Sequence, residues 1–184
     1  MITALNLNQL KEEALQRARI MVENGLYSRF RLSYQERVKK AQLGCIGELA
    51  FEKFLQNLGI PYQLDREGFE NRNTDEFDFS INNKIIDVKV AKKSTRNNPN
   101  DSWTYGYPEE QHPERKDFVV IGWVDFVKNE VGFYGWLTGE RIARFPVVEQ
   151  NSYRGYRYLT PNHEFQWGEM NKNFGMLFHE IYRS

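Results

Sequence analysis

The sequence contains little cysteine and histidine, and this scarcity excludes two kinds of site. Its 184 residues include one cysteine, Cys45, and three histidines. A lone cysteine cannot form a disulfide within the chain, which is typical of proteins in a reducing cytoplasm. The cysteine and histidine clusters that bind structural zinc are also missing. Chemistry in this chain therefore has to come from other side chains.

An excess of one charge and long apolar runs are missing as well. The 25 basic residues are balanced by 25 acidic ones, so no overall positive charge indicates nucleic acid. No run approaches the roughly 18 apolar residues of a membrane span, and the N-terminus lacks the pattern of a secretory signal. We expect a soluble, unexported, cytoplasmic protein without a membrane partner, in which local charge has to indicate any binding of nucleic acid.

The length and the order of patterns predict one domain over residues 1–184. Helical spacing of apolar residues predicts N-terminal helices within 7–58, and the S-x-x-E sequence at 33–36 predicts a capping box at the start of the second. Buried-strand patterns follow over 117–160, with Tyr153 to Leu159 as a last, edge-like strand, and a tail over 161–184 that includes a short helix or irregular segment. The order predicts an α/β (α+β) fold with a mixed central sheet flanked by helices.

A β-hairpin is predicted over residues 74–93, and it carries the main candidate site. Apolar and polar side chains alternate on its first arm, and Asn82-Asn83 forms a two-residue turn. In that register Asp78 lies directly opposite Asp87. Lys89 points to the same face, because side chains in a strand alternate with a period of two.

Two opposed carboxylates repel each other, so something has to offset that repulsion. A divalent cation such as Mg²⁺, which prefers oxygen ligands, would do so with help from Lys89. The alternative is a solvated face of the sheet, on which Asp78, Asp87 and Lys89 form a surface salt bridge.

A further acidic candidate lies on the second predicted helix. Glu48 is surrounded by small and apolar residues at helical spacing, which predicts that it faces the protein rather than water. Gly44 and Gly47 in the same helix indicate close packing or binding, because glycine weakens a helix. Glu52, one turn later, is the competing candidate, and a Glu48 that reaches water at the edge of the apolar arc is the alternative.

The sign of the charge reverses along the chain beside the hairpin. From Leu64 to Asp78 there are six acidic and two basic residues, and from Lys84 to Arg96 five basic and one acidic. We expect Lys92, Lys93 and Arg96 to contact a phosphate backbone, unless they are ordinary solvated surface. The segment 94–116 is long for a connection and is predicted to face a substrate, with a partner-binding or packed excursion as alternatives.

The chain resembles the PD-(D/E)XK nuclease superfamily, whose members share the restriction-endonuclease-like fold. The resemblance rests on three short stretches in the family's order: G-C-I-G-E-L-A at 44–50, D-E-F-D-F at 75–79 and I-D-V-K-V at 86–90. It covers about residues 34–93, and the remainder only by a compatible run of strands. Phe77 replaces the proline of the family's name motif, so Asp75 becomes a rival for the first acidic position, although the hairpin register favours Asp78.

The resemblance implies a site and a reaction. It implies that Asp78, Asp87 and the Val88 carbonyl bind Mg²⁺, for which Mn²⁺ would substitute, and that Glu48 binds the metal directly or through water. Lys89 would position the attacking water and stabilise charge on the phosphate. The implied function is an endonuclease that hydrolyses DNA, of a restriction type or from a phage or mobile element, with duplex DNA as partner and a homodimer for cleavage of both strands.

Two other interpretations remain open. The chain could keep the same fold and bind nucleic acid, or serve in an assembly, without turnover. Alternatively, the three stretches coincide by chance and the chain is an unrelated α+β binding domain. The positions of Glu48, Asp78 and Asp87 relative to a common point distinguish the last interpretation from the others.

Overall fold

The computed structural model describes residues 2–64 and 78–183. They form a mixed α/β fold with two sheets, which confirms the predicted fold class. The central sheet has five strands in the order β1-β6-β5-β3-β2. Its strands are β1 (Ile2–Asn6), β2 (Phe79–Ile81), β3 (Lys84–Lys92), β5 (Phe118–Asp125) and β6 (Glu130–Thr138). The sheet is mixed, because β3 and β5 run parallel and the other neighbours run antiparallel.

Two N-terminal helices form within the predicted range, and the second begins at the predicted capping box. The two N-terminal helices are α1 (Asn8–Glu23) and α2 (Tyr34–Asn57), and the later ones are α3 (Gly139–Ala143) and α4 (Phe174–Tyr182). Ser33 and Glu36 make the predicted capping box at the start of α2, in which each side chain accepts a hydrogen bond from the other residue's backbone N–H. Gly25 and Gly59 follow the ends of α1 and α2 with positive φ, a conformation that favours glycine.

A second sheet was not predicted. It is antiparallel in the order β4-β8-β7, with β4 (Thr104–Pro108), β7 (Val147–Gln150) and β8 (Arg157–Gln166). The edge-like strand predicted from Tyr153 to Leu159 has the wrong bounds: it begins at Arg157 and continues to Gln166, where it becomes the middle strand of this sheet. Asn162 and His163 pair on both sides, with β4 and β7, whereas Arg157 pairs only with β7. The pattern of one strand does not reveal such partners. β1 was also missed.

The two faces of the central sheet bury different cores. One core joins α1, α2 and α4 to side chains such as Val88, Val120 and Phe133. The other lies against the second sheet and includes Val119, Ile121 and Tyr107. Alternate residues of β5 point into opposite cores, as the pleat of a strand requires. β3 therefore lies between a layer of helices and a second sheet.

Candidate metal centre

The hairpin has the predicted turn and register. Asn82 and Asn83 both have positive φ, at 50° and 62°, as in a type I′ turn. Phe79 pairs with Ile86 and Ile81 pairs with Lys84. One pair further from the turn, the same register puts Asp78 opposite Asp87. The predicted geometry of the hairpin is thus confirmed, while its residues 74–77 lie outside the described residues.

The face that carries Asp78 and Asp87 is buried, so the surface salt bridge is the wrong description. The side chains of Asp78, Asp87 and Lys89 are 11%, 6% and 23% exposed. Lys89 Nζ lies 2.7 Å from Asp87 Oδ1 and 4.0 Å from Asp78 Oδ2. One ammonium thus lies beside two buried carboxylates, where charge interactions are much stronger than in water.

Each of the two carboxylates also accepts a hydrogen bond from a group other than Lys89. Asp78 Oδ2 accepts a hydrogen bond of 2.6 Å from the backbone N–H of Val88, and Asp87 Oδ2 accepts one of 2.9 Å from the Tyr107 hydroxyl. Since the N–H and C=O of one strand residue point to the same side, the Val88 carbonyl faces the edge of β3 at which Asp78 lies. These contacts orient both carboxylates before any ligand arrives.

The electrostatics of the two aspartates differ. Burial raises the pKa of Asp78 well above its usual value, and the nearby Asp87 and Glu48 carboxylates raise it further, against the opposing effect of Lys89. Burial also raises the pKa of Asp87, but the charge and hydrogen bond of Lys89, the charge of Lys116 and the Tyr107 hydrogen bond together outweigh burial and hold that pKa below its usual value. The pKa of Lys89 lies well above its usual value, because both aspartates outweigh the effect of burial. Two buried carboxyl groups thus share the Lys89 ammonium, and burial without a counter-charge of its own favours the protonated form of Asp78.

Glu48 is half-buried on α2 and contributes to the same electrostatic field. Its carboxylate raises the pKa of Asp78 and of Tyr27, so it lies within electrostatic range of both groups. The rival Glu52 instead accepts a hydrogen bond of 2.9 Å from Tyr62. The other rival, Asp75, lies outside the described residues. Of the two helical carboxylates, Glu48 is therefore the one associated with the hairpin.

The two glycines near Glu48 have different surroundings. A Cβ at Gly47 would lie 2.8 Å from a Val90 methyl group, so this glycine lets α2 pack closely on β3. A Cβ at Gly44 would meet nothing within 4 Å. The close packing predicted from the glycines is confirmed at Gly47, and Gly44 leaves open space one turn before Glu48.

The carboxylate and carbonyl oxygens of the cluster are donors of the kind that binds Mg²⁺, although they do not form a complete coordination shell. Across residues 2–64 and 78–183, no group of three or more His, Cys, Asp or Glu side chains is arranged to hold a metal ion. Mg²⁺ is commonly bound through one or two carboxylates, with water and substrate phosphate completing its shell. Asp78, Asp87 and the Val88 carbonyl fit that description, and a bound cation would favour the ionised form of Asp78, which burial disfavours.

The three predicted phosphate-binding residues lie in different surroundings. Lys92 and Arg96 are exposed. Lys93 is not, because its side chain is 3% exposed and its Nζ lies 2.6 Å from Asp125 Oδ2. The structure thus separates Lys93, which is held in a buried ion pair, from the two cations that face solvent.

Sequence reasoning missed the tyrosines around the cluster. Tyr107 is fully buried and donates to Asp87. Burial raises the pKa of Tyr105 above the usual range, and Lys89 and Asp87 both act on that pKa, so its hydroxyl lies near the cluster. Tyr27 also lies within range of Lys89 and has a positive φ of 60°. The only signal in the sequence for Tyr105 and Tyr107 near the cluster is the high aromatic content of the segment after residue 100.

Comparisons of the chain with protein-family models, curated proteins and solved structures find no match. Within the described part of the chain, no helix is both long enough and apolar enough to cross a membrane. The function therefore has to be inferred from the geometry of the cluster.

Proposed function

We propose that this chain is a nuclease that hydrolyses phosphodiester bonds in DNA with a divalent metal, Mg²⁺ or Mn²⁺. The observation that carries the proposal is the pair of buried carboxyl groups, Asp78 and Asp87, that share the Lys89 ammonium, so that the ionised form of Asp78 has no counter-charge of its own. The order of these residues along the chain also resembles the PD-(D/E)XK superfamily. A buried carboxyl group without its own counter-charge favours its protonated form, and such perturbed groups are common at functional sites, where a bound cation favours the ionised form.

Each residue then has a chemical role. Asp78, Asp87 and the Val88 carbonyl supply the oxygen ligands, and Glu48 adds negative charge beside them. A bound divalent ion would supply a water of lowered pKa and neutralise charge on the phosphate. The Lys89 ammonium stabilises negative charge that develops on the phosphate oxygens, and its partial burial strengthens that interaction. Tyr107 orients Asp87 through its hydroxyl.

Cleavage assays test the proposal directly. Plasmid, linear duplex, branched and single-stranded DNA are incubated with the wild-type protein, with and without Mg²⁺, beside Asp87→Asn. We expect cleavage that requires Mg²⁺ and is lost in Asp87→Asn. Asp125→Asn is the matched control, since it also removes a buried carboxylate that is paired with a lysine. Equal behaviour of the wild type and Asp87→Asn on every substrate would refute the nuclease proposal.

Metal binding has its own readout, independent of turnover. A ligand that binds only the folded state raises the melting temperature as its concentration increases. We expect Mn²⁺ to raise the melting temperature of the wild type, to have less effect on Asp78→Asn, and to retain its effect on Asp125→Asn. If Asp78→Asn responds to Mn²⁺ as the wild type does, these carboxylates do not form the site.

The second candidate is a nucleic-acid-binding protein of the same fold without turnover. One contact favours it: the Lys89 ammonium is already paired with Asp87 at 2.7 Å, so it neutralises part of the charge that would attract a metal. This candidate predicts DNA binding that is unchanged by chelators and by Asp87→Asn.

Light scattering during gel filtration, with and without duplex DNA, would test the homodimer that duplex cleavage favours.

A further inference from the structure

An exposed segment of residues 151–157, here called the tyrosine–arginine loop, leads into β8 and carries a distinct set of side chains. Tyr153 and Tyr156 are 78% and 52% exposed, which is unusual for side chains of this size. Arg154 and Arg157 are exposed as well, and within the described ranges neither forms an ion pair. The loop therefore offers aromatic faces and two cations to solvent.

The loop is held in place by a buried polar network. Asn151 is 3% exposed and lies at its centre. Its Nδ2 donates to Glu164 Oε2 at 2.8 Å, its Oδ1 accepts from the Arg154 N–H at 2.8 Å, and its own N–H donates to the Tyr156 carbonyl at 2.9 Å. The Tyr158 hydroxyl donates to the same Glu164 oxygen at 2.6 Å. A network with its polar groups paired supports the backbone of the loop, which carries the exposed side chains.

Two side-chain contacts locate the loop relative to the charged cluster. Arg154 Nη1 donates to Ser94 Oγ at 2.9 Å, and Ser94 follows closely on the end of β3, the strand that carries Asp87 and Lys89. Asn151 Nδ2 donates to Thr104 Oγ1 at 3.0 Å. Thr104 begins β4, the strand that brings Tyr107 to Asp87. The loop thus bridges the two strands that build the cluster.

Packing brings the loop and β4 still closer. A Cβ at Gly106 would lie 2.6 Å from the Tyr158 ring, so only glycine leaves room for that ring against β4. The rings of Tyr156 and Tyr158 meet edge to face, with centroids 5.4 Å apart. Tyr105, whose hydroxyl lies near Lys89 and Asp87, is also within electrostatic range of Tyr156. A row of tyrosines therefore connects the cluster to the exposed loop.

The contact with Ser94 also joins the loop to a neighbouring cation. Lys92 and Arg96 lie two residues to either side of Ser94, and both are exposed. Lys92 shares the face of Val88 and Val90, which is covered by the helices, and its Nζ lies over the Phe126 ring. The basic surface of the loop therefore consists of Arg154 and Arg157, and the Ser94 contact joins it to the exposed segment that carries Arg96. Its charge complements a phosphate backbone, and its exposed rings match the flat faces of bases.

We propose that the tyrosine–arginine loop binds an unpaired stretch of the nucleic acid, with bases stacked on Tyr153 and Tyr156 and phosphates held by Arg154 and Arg157. The inference rests on the proposed function, because it assigns the loop to the substrate of that site. Base faces inside a duplex are already covered by neighbouring base pairs, whereas a single strand, a flap or a branch exposes them. The preferred substrate is therefore DNA with unpaired nucleotides next to the bond that is cut.

Binding is measured by fluorescence anisotropy with a labelled single-stranded oligonucleotide and the matching duplex, in chelator so that no cleavage occurs. We expect the single strand to bind more tightly, and Tyr153→Ala and Tyr156→Ala each to weaken its binding by about tenfold. The double variant Arg154→Ala with Arg157→Ala should lower the slope of log K against log salt by about 1.4, or about 0.7 for each phosphate that is no longer neutralised. Tyr182→Ala and Arg144→Ala are matched controls at exposed positions away from the loop.

The outcomes separate this inference from the proposed function. If the wild type cleaves DNA but the loop variants bind as the wild type does, the inference fails and the nuclease proposal stands. If nothing is cleaved but the tyrosine variants selectively lose single-strand binding, the loop assignment stands and the nuclease proposal fails. Tighter binding of the duplex, or equal competition by polyglutamate, which would indicate an acidic protein partner, overturns the inference.

Discussion

Two lysine–aspartate pairs on one strand and its continuation show how similar contacts can have different roles. Lys89 lies 2.7 Å from Asp87, and Lys93 lies 2.6 Å from Asp125. Asp125 also accepts hydrogen bonds from the backbone N–H groups of Val127 and Lys128, so one ammonium and one well-bonded carboxylate balance each other. Lys89 has a second carboxylate, Asp78, within 4.0 Å. A buried lysine with one carboxylate partner supports the fold. A lysine shared by two carboxyl groups leaves one of them without its own counter-charge, which a bound cation would supply.

The largest expected difference between the two pairs is in catalysis. Lys89→Met removes the cation beside the proposed reacting phosphate, and we expect the cleavage rate to fall by roughly a thousandfold, which corresponds to about 4 kcal/mol of barrier. Lys93→Met is the matched change in the other pair and should leave cleavage per folded molecule within about threefold of the wild type. Single-turnover rates at low temperature, corrected for the folded fraction, provide the measurement. Equal losses of cleavage rate in both variants would show that Lys89 has no catalytic role beyond that of Lys93.

The second difference is in stability, to which the Lys93–Asp125 pair contributes more than the Lys89–Asp87 pair. Asp125→Asn leaves the Lys93 ammonium buried without its counter-charge, so we expect the free energy of unfolding to fall by about 3 kcal/mol. Burial raises the pKa of Asp125, but the hydrogen bonds from Lys93 and two backbone N–H groups outweigh it and hold the pKa below its usual value. A lowered carboxyl pKa contributes stability above the unfolded value of 3.8 and loses it as pH falls through the folded value.

Denaturant unfolding from pH 7 down to pH 3 measures that contribution. The gap between the wild type and Asp125→Asn should be widest near neutral pH and should narrow below about pH 4. A gap that stays constant over this range would mean that the ionised carboxylate is not what stabilises the fold.

A smaller effect of opposite sign is expected at the cluster of Asp78, Asp87 and Lys89. Asp78→Asn removes a carboxylate whose pKa is raised by burial, while the amide oxygen can still accept the hydrogen bond from Val88. We expect stability in metal-free buffer at pH 7 to rise by about 1 kcal/mol, as is common when a strained functional site is relaxed. Urea unfolding with chelator measures it. A loss of stability would mean that Asp78 is part of the structural support.

The smallest effects are expected at the two glycines of α2. Gly47→Ala forces a methyl group against Val90, and overpacking should outweigh the gain in helix propensity by about 1 kcal/mol. Gly44→Ala meets open space and should stabilise the protein by about 0.5 kcal/mol. Thermal unfolding of both variants compares them. A Gly44→Ala variant that is stable but cleaves poorly would mark this open space as part of the substrate path.

The sequence predicts the hairpin well because its geometry is local. The turn residues Asn82 and Asn83 and the alternation of side chains are sufficient to set Asp78 opposite Asp87. The capping box at Ser33 is local in the same sense. These features depend on neighbours within a few residues, and such neighbours can be read directly from the chain.

Features that depend on distant partners were not predictable in the same way. Lys93 and Lys92 are adjacent in the sequence and both basic, yet only the position of Asp125 makes one of them buried. Tyr107 reaches Asp87 because β4 pairs with β8 in a second sheet, which no local pattern indicates. The candidate site is therefore partly local, in its carboxylates and lysine, and partly tertiary, in the groups that orient them.

The short turn at Asn82-Asn83 also has a consequence for folding kinetics. Hairpins close within about 1–10 μs, so Asp78 and Asp87 approach each other early, whereas α2 and β4 bring Glu48 and Tyr107 only later. The repulsion between the two aspartates therefore opposes formation of the hairpin, and Lys89 is the nearby cation that can offset it at that stage. We expect Asp78→Asn to refold about twofold faster than the wild type in stopped-flow experiments in chelator. An unchanged rate would place hairpin closure after the rate-limiting step.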